Sequence, residues 1–244
     1  MEPIYLIFAF FIILVASTVK GLTGFGLALI SMPLLSFFLP LKFLVPLITI
    51  FNLITSAIIV WQNPDTKHFK NEILLSSLGV VGVIAGAMLL PVLSDVFLKK
   101  ILSVVLVALA IAFLSGYRFK IRNIIRARIL AGLTSGFLGG LFSIGGPTMV
   151  LFLTSLELDK TRFRVTFSLY SLLTTSVAFI GYFFNGLVTL RVITFALILL
   201  PALLAGTWLG GKLVEKLPVV TFRKVCIWIT LLSGIMIFVS AYHR

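Results

Sequence analysis

Apolar runs follow one another along almost the whole chain, and several, such as Ile101 to Leu114 and Val192 to Leu204, are apolar on every face. A helix that is hydrophobic all round belongs in a large core or in a bilayer. The 244 residues are 60% hydrophobic and 11% charged, whereas a soluble domain carries about 25% charged residues. Lipid is therefore the solvent that this chain is built for. In hydrocarbon every backbone group must be paired within the segment or the protein, which leaves helices or a closed barrel. Barrel strands alternate polar and apolar residues over about ten positions, and these runs do not alternate. The fold class expected is an all-α polytopic membrane protein.

Reading apolar runs between polar breaks gives ten segments, at 3–19, 27–41, 43–61, 73–93, 97–116, 126–142, 147–157, 163–184, 190–211 and 219–242. Segments 27–41 and 147–157 are shorter than the roughly 20 residues of a full crossing, and each follows a glycine-rich break, so they read either as crossings or as broken or re-entrant half-helices. The first segment does not read as a cleaved signal, because Glu2 stands where a signal peptide has a basic flank. The single cysteine, Cys226, has no partner for a disulfide.

The net charge of +13 does not describe a basic domain, since the cations sit at the ends of apolar runs. That is the pattern of topology signals, and it suits contact with anionic lipids. No nucleic-acid partner is expected. If each of the ten segments reverses the chain, one side of the membrane receives fifteen of the 20 Lys and Arg, while the other receives Lys42, Lys99, Lys100, Arg191 and Arg244. The positive-inside rule makes the richer side cytoplasmic and both termini extracytoplasmic.

The two halves resemble one another. At an offset of 119 residues Gly21, Leu22, Gly26, Leu34, Leu53 and Thr55 match Gly140, Leu141, Gly145, Leu153, Leu172 and Thr174, with the basic connection at the midpoint. The reading is a first repeat at 1–117, a basic cytoplasmic connection at 118–128 and a second repeat at 129–244. Five reversals per half is an odd number, so the second repeat is inverted. Two inverted repeats with interrupted helices are a recurring transporter design, with the substrate near the bilayer midplane.

The breaks are Lys20 to Gly26 and Gly136 to Thr148. Glycine there exposes backbone amides and permits left-handed angles, and the first turn of the following segment offers unpaired N–H groups and a positive dipole end. Pro147 suits a first helical position. Candidate substrate-binding residues are Gly24, Phe25 and Gly26 in the first break and Ser143, Ile144, Gly145, Gly146, Pro147 and Thr148 in the second. Close helix packing is the competing role for such glycines. Asn52 and Thr55, with Ser171 and Thr174 at matching places, are polar groups in apolar segments and join the candidates; interhelical bonding is their alternative role. Lys20 is placed to pair an anion, and equally to serve as a charge at the cytoplasmic face.

Gly24 to Gly26 followed by Ser31-Met32-Pro33-Leu34-Leu35, together with Gly139-Gly140-Leu141-Phe142-Ser143-Ile144-Gly145-Gly146-Pro147, resembles the sulfite exporter TauE/SafE family of bacterial and archaeal membrane proteins. The resemblance covers nearly the whole chain. It departs from the commoner family pattern at Pro147, which takes the place of a third consecutive glycine, and at Leu27-Ala28 after Gly26. It implies a plasma-membrane transporter of a small sulfur-containing anion such as sulfite, a sulfonate or a sulfoacetate-like compound. The inverted repeats add the expectation of alternating access, and no cofactor and no metal are expected. A passive anion channel is the alternative. An intramembrane enzyme is disfavoured, because His68 and His243 fall in a loop and at the C-terminus, without metal-ligand spacing.

Overall fold

The computed structural model describes residues 3–63, 69–114, 123–156, 158, 160–213 and 228. Among these residues there are nine helices and no strand: α1 (Pro3–Thr23), α2 (Leu27–Leu35), α3 (Leu41–Trp61), α4 (Phe69–Leu89), α5 (Asp95–Leu114), α6 (Ile124–Phe142), α7 (Gly146–Thr154), α8 (Lys160–Phe184) and α9 (Leu190–Leu213). The tenth predicted segment, 219–242, lies outside the described residues except for Trp228, as does the connection 118–122.

Five helices, α1, α3, α6, α8 and α9, are long and apolar enough to cross a membrane. The protein is a multi-pass, all-helical membrane protein. Helices α2 and α7 have nine residues each, about 14 Å at 1.5 Å per residue, half of a hydrocarbon core of about 30 Å. Neither crosses alone, so the two short segments are half-helices. The predicted segment 27–41 ends early, at Leu35, because Leu41 already begins α3.

Local chemistry sets several helix starts. Asn123 caps α6, its side-chain carbonyl accepting from the amides of Ile125 at 3.0 Å and Arg126 at 3.1 Å. The α3 start follows Pro40, and the cap comes from another helix: Asp95 Oδ1, at the start of α5, accepts from the Leu41 amide at 2.6 Å. A carboxylate there also answers the positive dipole end of α3.

Packing follows small residues. Helix α1 lies along α9, α4 along α6, and α3 against α8. A methyl group on Gly136 would run into the Gly79 carbonyl, one on Gly140 into that of Val83, and one on Gly21 into that of Thr207. With lipid outside there is no water-driven attraction between helices, so close backbone approach supplies dispersion contact instead. This corrects part of the expectation for the two glycine clusters. The helices run on to Thr23 and Phe142, so Gly21, Gly136 and Gly140 are helix-packing glycines, and the breaks shrink to Gly24–Gly26 and Ser143–Gly145.

Helix bounds in the two halves fall in step at the 119-residue offset. Helix α1 ends at Thr23 and α6 at Phe142; α2 covers Leu27–Leu35 and α7 Gly146–Thr154; α3 begins at Leu41 and α8 at Lys160. Packing partners exchange in the same way: α1 takes α9, and its counterpart α6 takes α4, so each of these long pairs joins one half to the other.

Candidate functional site

Each break turns through left-handed backbone. Gly24 has φ +84° and Gly26 φ +100°, while Ser143, the position matching Gly24, has φ +58° and is the sole non-glycine with positive φ among the described residues. Such angles cost an ordinary L-residue about 1–2 kcal/mol, so a serine held there has its side chain fixed by something else. Thr23 pins the first break, its Oγ1 donating to the Phe25 carbonyl at 2.6 Å and accepting from the Phe25 amide at 3.0 Å. In the second, the Gly145 carbonyl accepts from Ser135 Oγ at 2.6 Å and Thr148 Oγ1 at 3.2 Å. The carbonyl is thereby spent inside the protein.

Helices α2 and α7 both begin at glycine N-caps, Gly26 and Gly145, without a side-chain cap. Their first-turn amides lack intrahelical partners, and their dipoles present positive ends. Both starts open on one cavity of about 40 Å3. Phe25 and Gly26 line it from the first break, and Ser143, Ile144, Gly145 and Gly146 from the second. Asn52 on α3, Ser135 on α6 and Tyr170, Ser171, Thr174 and Thr175 on α8 add further polar groups to the wall.

A chain of hydrogen bonds stands behind this wall. Lys20 Nζ donates to Asn52 Oδ1 at 2.6 Å and to the Asn52 carbonyl at 3.1 Å. The Asn52 amide nitrogen donates to Ser143 Oγ at 3.0 Å, and Thr49 Oγ1 lies 3.0 Å from the same oxygen. These bonds hold Ser143 in its left-handed conformation and tie α1 and α3 to the second break. Lys20 is 1% exposed, which corrects the reading of it as an end charge at the membrane face: α1 continues for one turn beyond it, and its ammonium is drawn inward by Asn52. Among the described residues it has no carboxylate partner.

The remaining candidates sit apart from the cavity wall. Gly24 packs against the Arg164 backbone. Thr55 Oγ1 returns to its own helix at the Phe51 carbonyl, 2.7 Å away, and Pro147 and Thr148 belong to the first turn of α7 behind the wall. Sequence reasoning missed Thr49, Ser135, Phe167 and Tyr170. A signal existed for Thr49, which precedes Asn52 by three residues and so shares its helix face. Tyr170 fills a notch at Gly79 and donates from its hydroxyl to the Gly132 carbonyl at 3.2 Å.

Among the described residues no three His, Cys, Asp or Glu side chains come together as a metal site would need. The arrangement offers hydroxyl and amide donors around a small space, with the Lys20 ammonium behind Asn52, which is equipment for holding an anion. No curated protein and no solved structure matches the chain. Residues 9–237 match a family whose description is sulfite exporter TauE/SafE, a family of membrane transporters of sulfur-containing anions. With two half-helices meeting at an anion-suited cavity and a match along nearly its whole length, the chain belongs to the sulfite exporter TauE/SafE family.

Proposed function

We propose that the protein is a secondary transporter that binds one compact sulfur oxyanion, sulfite or a close relative, in the cavity between the two breaks and releases it by alternating access. The observation that carries this reading is the buried Lys20 ammonium. A charge removed from water is costly unless it is compensated, and among the described residues Lys20 donates only to Asn52. An anion in the cavity lined by Asn52 supplies the missing countercharge, aided by the starts of α2 and α7.

The cavity is small, about 40 Å3, and its polar wall suits a compact oxyanion. The matching helix bounds and exchanged packing partners support two inverted repeats, 1–117 and 129–244, which rock about the site. Charge distribution supports a plasma-membrane orientation with both termini extracytoplasmic.

Among the described residues no carboxylate lines the cavity, so none of them is placed to carry a proton with the substrate. An anion leaving a negative interior gains about 2.3 kcal/mol per charge per 100 mV, which favours export. The test is counterflow in proteoliposomes. Unlabelled sulfite inside should drive saturable uptake of labelled sulfite, with net flux following the membrane potential. Non-saturating flux without counterflow would indicate a channel, and proton-dependent accumulation insensitive to potential would overturn export.

A further inference from the structure

A second buried cation lies away from the cavity. Arg164, in the first turns of α8, is 7% exposed, and its Nε and Nη2 have no hydrogen-bond partner among the described residues. Buried guanidinium nitrogens left unpaired are costly, because water has been removed and nothing replaces it. The described surroundings are close-packed and carry no charge against it. The Arg164 backbone carbonyl and Cγ border Gly24, and Nη2 approaches the Gly211 position together with the Gln62 side-chain oxygen. The group therefore stands where the first break, the start of α8, the end of α3 and the end of α9 meet. Phe163, its neighbour, contacts Phe25 with ring centroids 6.3 Å apart, and Phe25 lines the cavity.

We propose that Arg164 forms a second anion site, which takes the same class of compact oxyanion before or after the cavity does. The planar guanidinium offers parallel N–H donors that match two oxygens of one anion. An anion held there is separated from the cavity by the Phe25–Phe163 contact, so passage between the two positions requires Phe25 to move. The idea rests on the transport reading only for the order of the two sites; the binding itself stands on the unpaired guanidinium.

Sulfite titrations of the full-length protein in detergent, followed by calorimetry and melting temperature, test both sites. Wild type is expected to bind two sulfites. Arg164→Met should lose one site, weakening it at least about tenfold, keep the other, and melt no lower than wild type in anion-free buffer. Arg164→Lys should retain a weakened second site and guards against a folding defect in the Met variant. Asn52→Leu should show the converse loss. Two sites that both survive Arg164→Met would overturn the proposal, as would a large fall in melting temperature without anion, which would reveal a partner inside the chain. One site, lost in Arg164→Met and intact in Asn52→Leu, would support Arg164 and overturn the cavity reading.

Discussion

Asn52 and Ser171 occupy matching positions on α3 and α8 and face the same cavity, yet only Asn52 is tied into the protein. Its side chain accepts from Lys20 and donates to Ser143. Ser171 is buried, and its hydroxyl makes no side-chain hydrogen bond among the described residues. Lys20 itself has Gly139 as its counterpart at the 119-residue offset. The site is thus built on paired positions and is electrostatically one-sided, with charge behind Asn52 and a free donor at Ser171.

Ser171→Ala should weaken sulfite binding about tenfold, in line with roughly 1.5–3 kcal/mol for a hydrogen bond to a charged group. Stability should hardly change, since no internal bond is lost. Thr55→Val is the contrast. Its hydroxyl is spent on the Phe51 and Asn52 carbonyls and does not line the cavity, so affinity should stay within about twofold of wild type, roughly 0.4 kcal/mol. Isothermal titration of the two variants separates these outcomes, and equal losses would mean that the substrate lies elsewhere.

Lys20→Met should abolish measurable sulfite binding while the protein still folds. The variant removes a buried charge whose desolvation opposes folding and leaves Asn52 Oδ1 short of one donor, a cost of about 1–3 kcal/mol. These effects oppose each other, so the melting temperature of the anion-free protein should shift little. A sulfite-dependent rise in melting temperature that persists in Lys20→Met would show that its charge does not act on the anion.

Ser143→Gly distinguishes backbone from side chain. Glycine adopts φ +58° without penalty, recovering some of the 1–2 kcal/mol that the left-handed angle costs serine. The hydroxyl that links Thr49 and Asn52 disappears. Stability should therefore be close to wild type and sulfite affinity lower by about tenfold, the size of one charge-assisted bond. Ser143→Val, which places a β-branched side chain at positive φ, should in addition fold poorly, as read by the monodisperse yield from detergent.

Much of this architecture is legible in the sequence, because lipid demands long apolar segments and glycine interrupts them visibly. The two short segments announce themselves as α2 and α7, and the match of Asn52 with Ser171 and of Thr55 with Thr174 is visible at one fixed offset. Helix ends are less legible. Nothing in Lys20-Gly21-Leu22-Thr23 signals that α1 continues to Thr23, because the stabilisation comes from α9 packing on Gly21. Lys20 is therefore carried into the interior, although a lysine after an apolar run reads as an end charge. Ser135 and Tyr170 are illegible for a related reason. A hydroxyl in an apolar helix has the same local sequence whether it returns to its own backbone, as Thr174 does at the Tyr170 carbonyl, or crosses to another element, as Ser135 does at Gly145.

Glycine substitutions separate the seam from the site. A methyl group on Gly206 would meet the Leu14 carbonyl and Ser17 Oγ, on the α1–α9 seam and away from the cavity wall. Gly206→Ala should thus destabilise the protein by about 1–3 kcal/mol through overpacking, while the folded fraction binds sulfite normally. Gly145 has φ −76°, a backbone that alanine accepts, but a methyl group there would press on the Ser135 carbonyl at 2.5 Å. Relief of that clash moves the start of α7 away from α6 and displaces the amides that face the cavity. Gly145→Ala should accordingly lose sulfite binding more than it loses stability, the reverse of Gly206→Ala. Melting temperature and sulfite affinity measured side by side decide the matter, and a Gly145→Ala protein that binds as wild type does would return this break to a packing role.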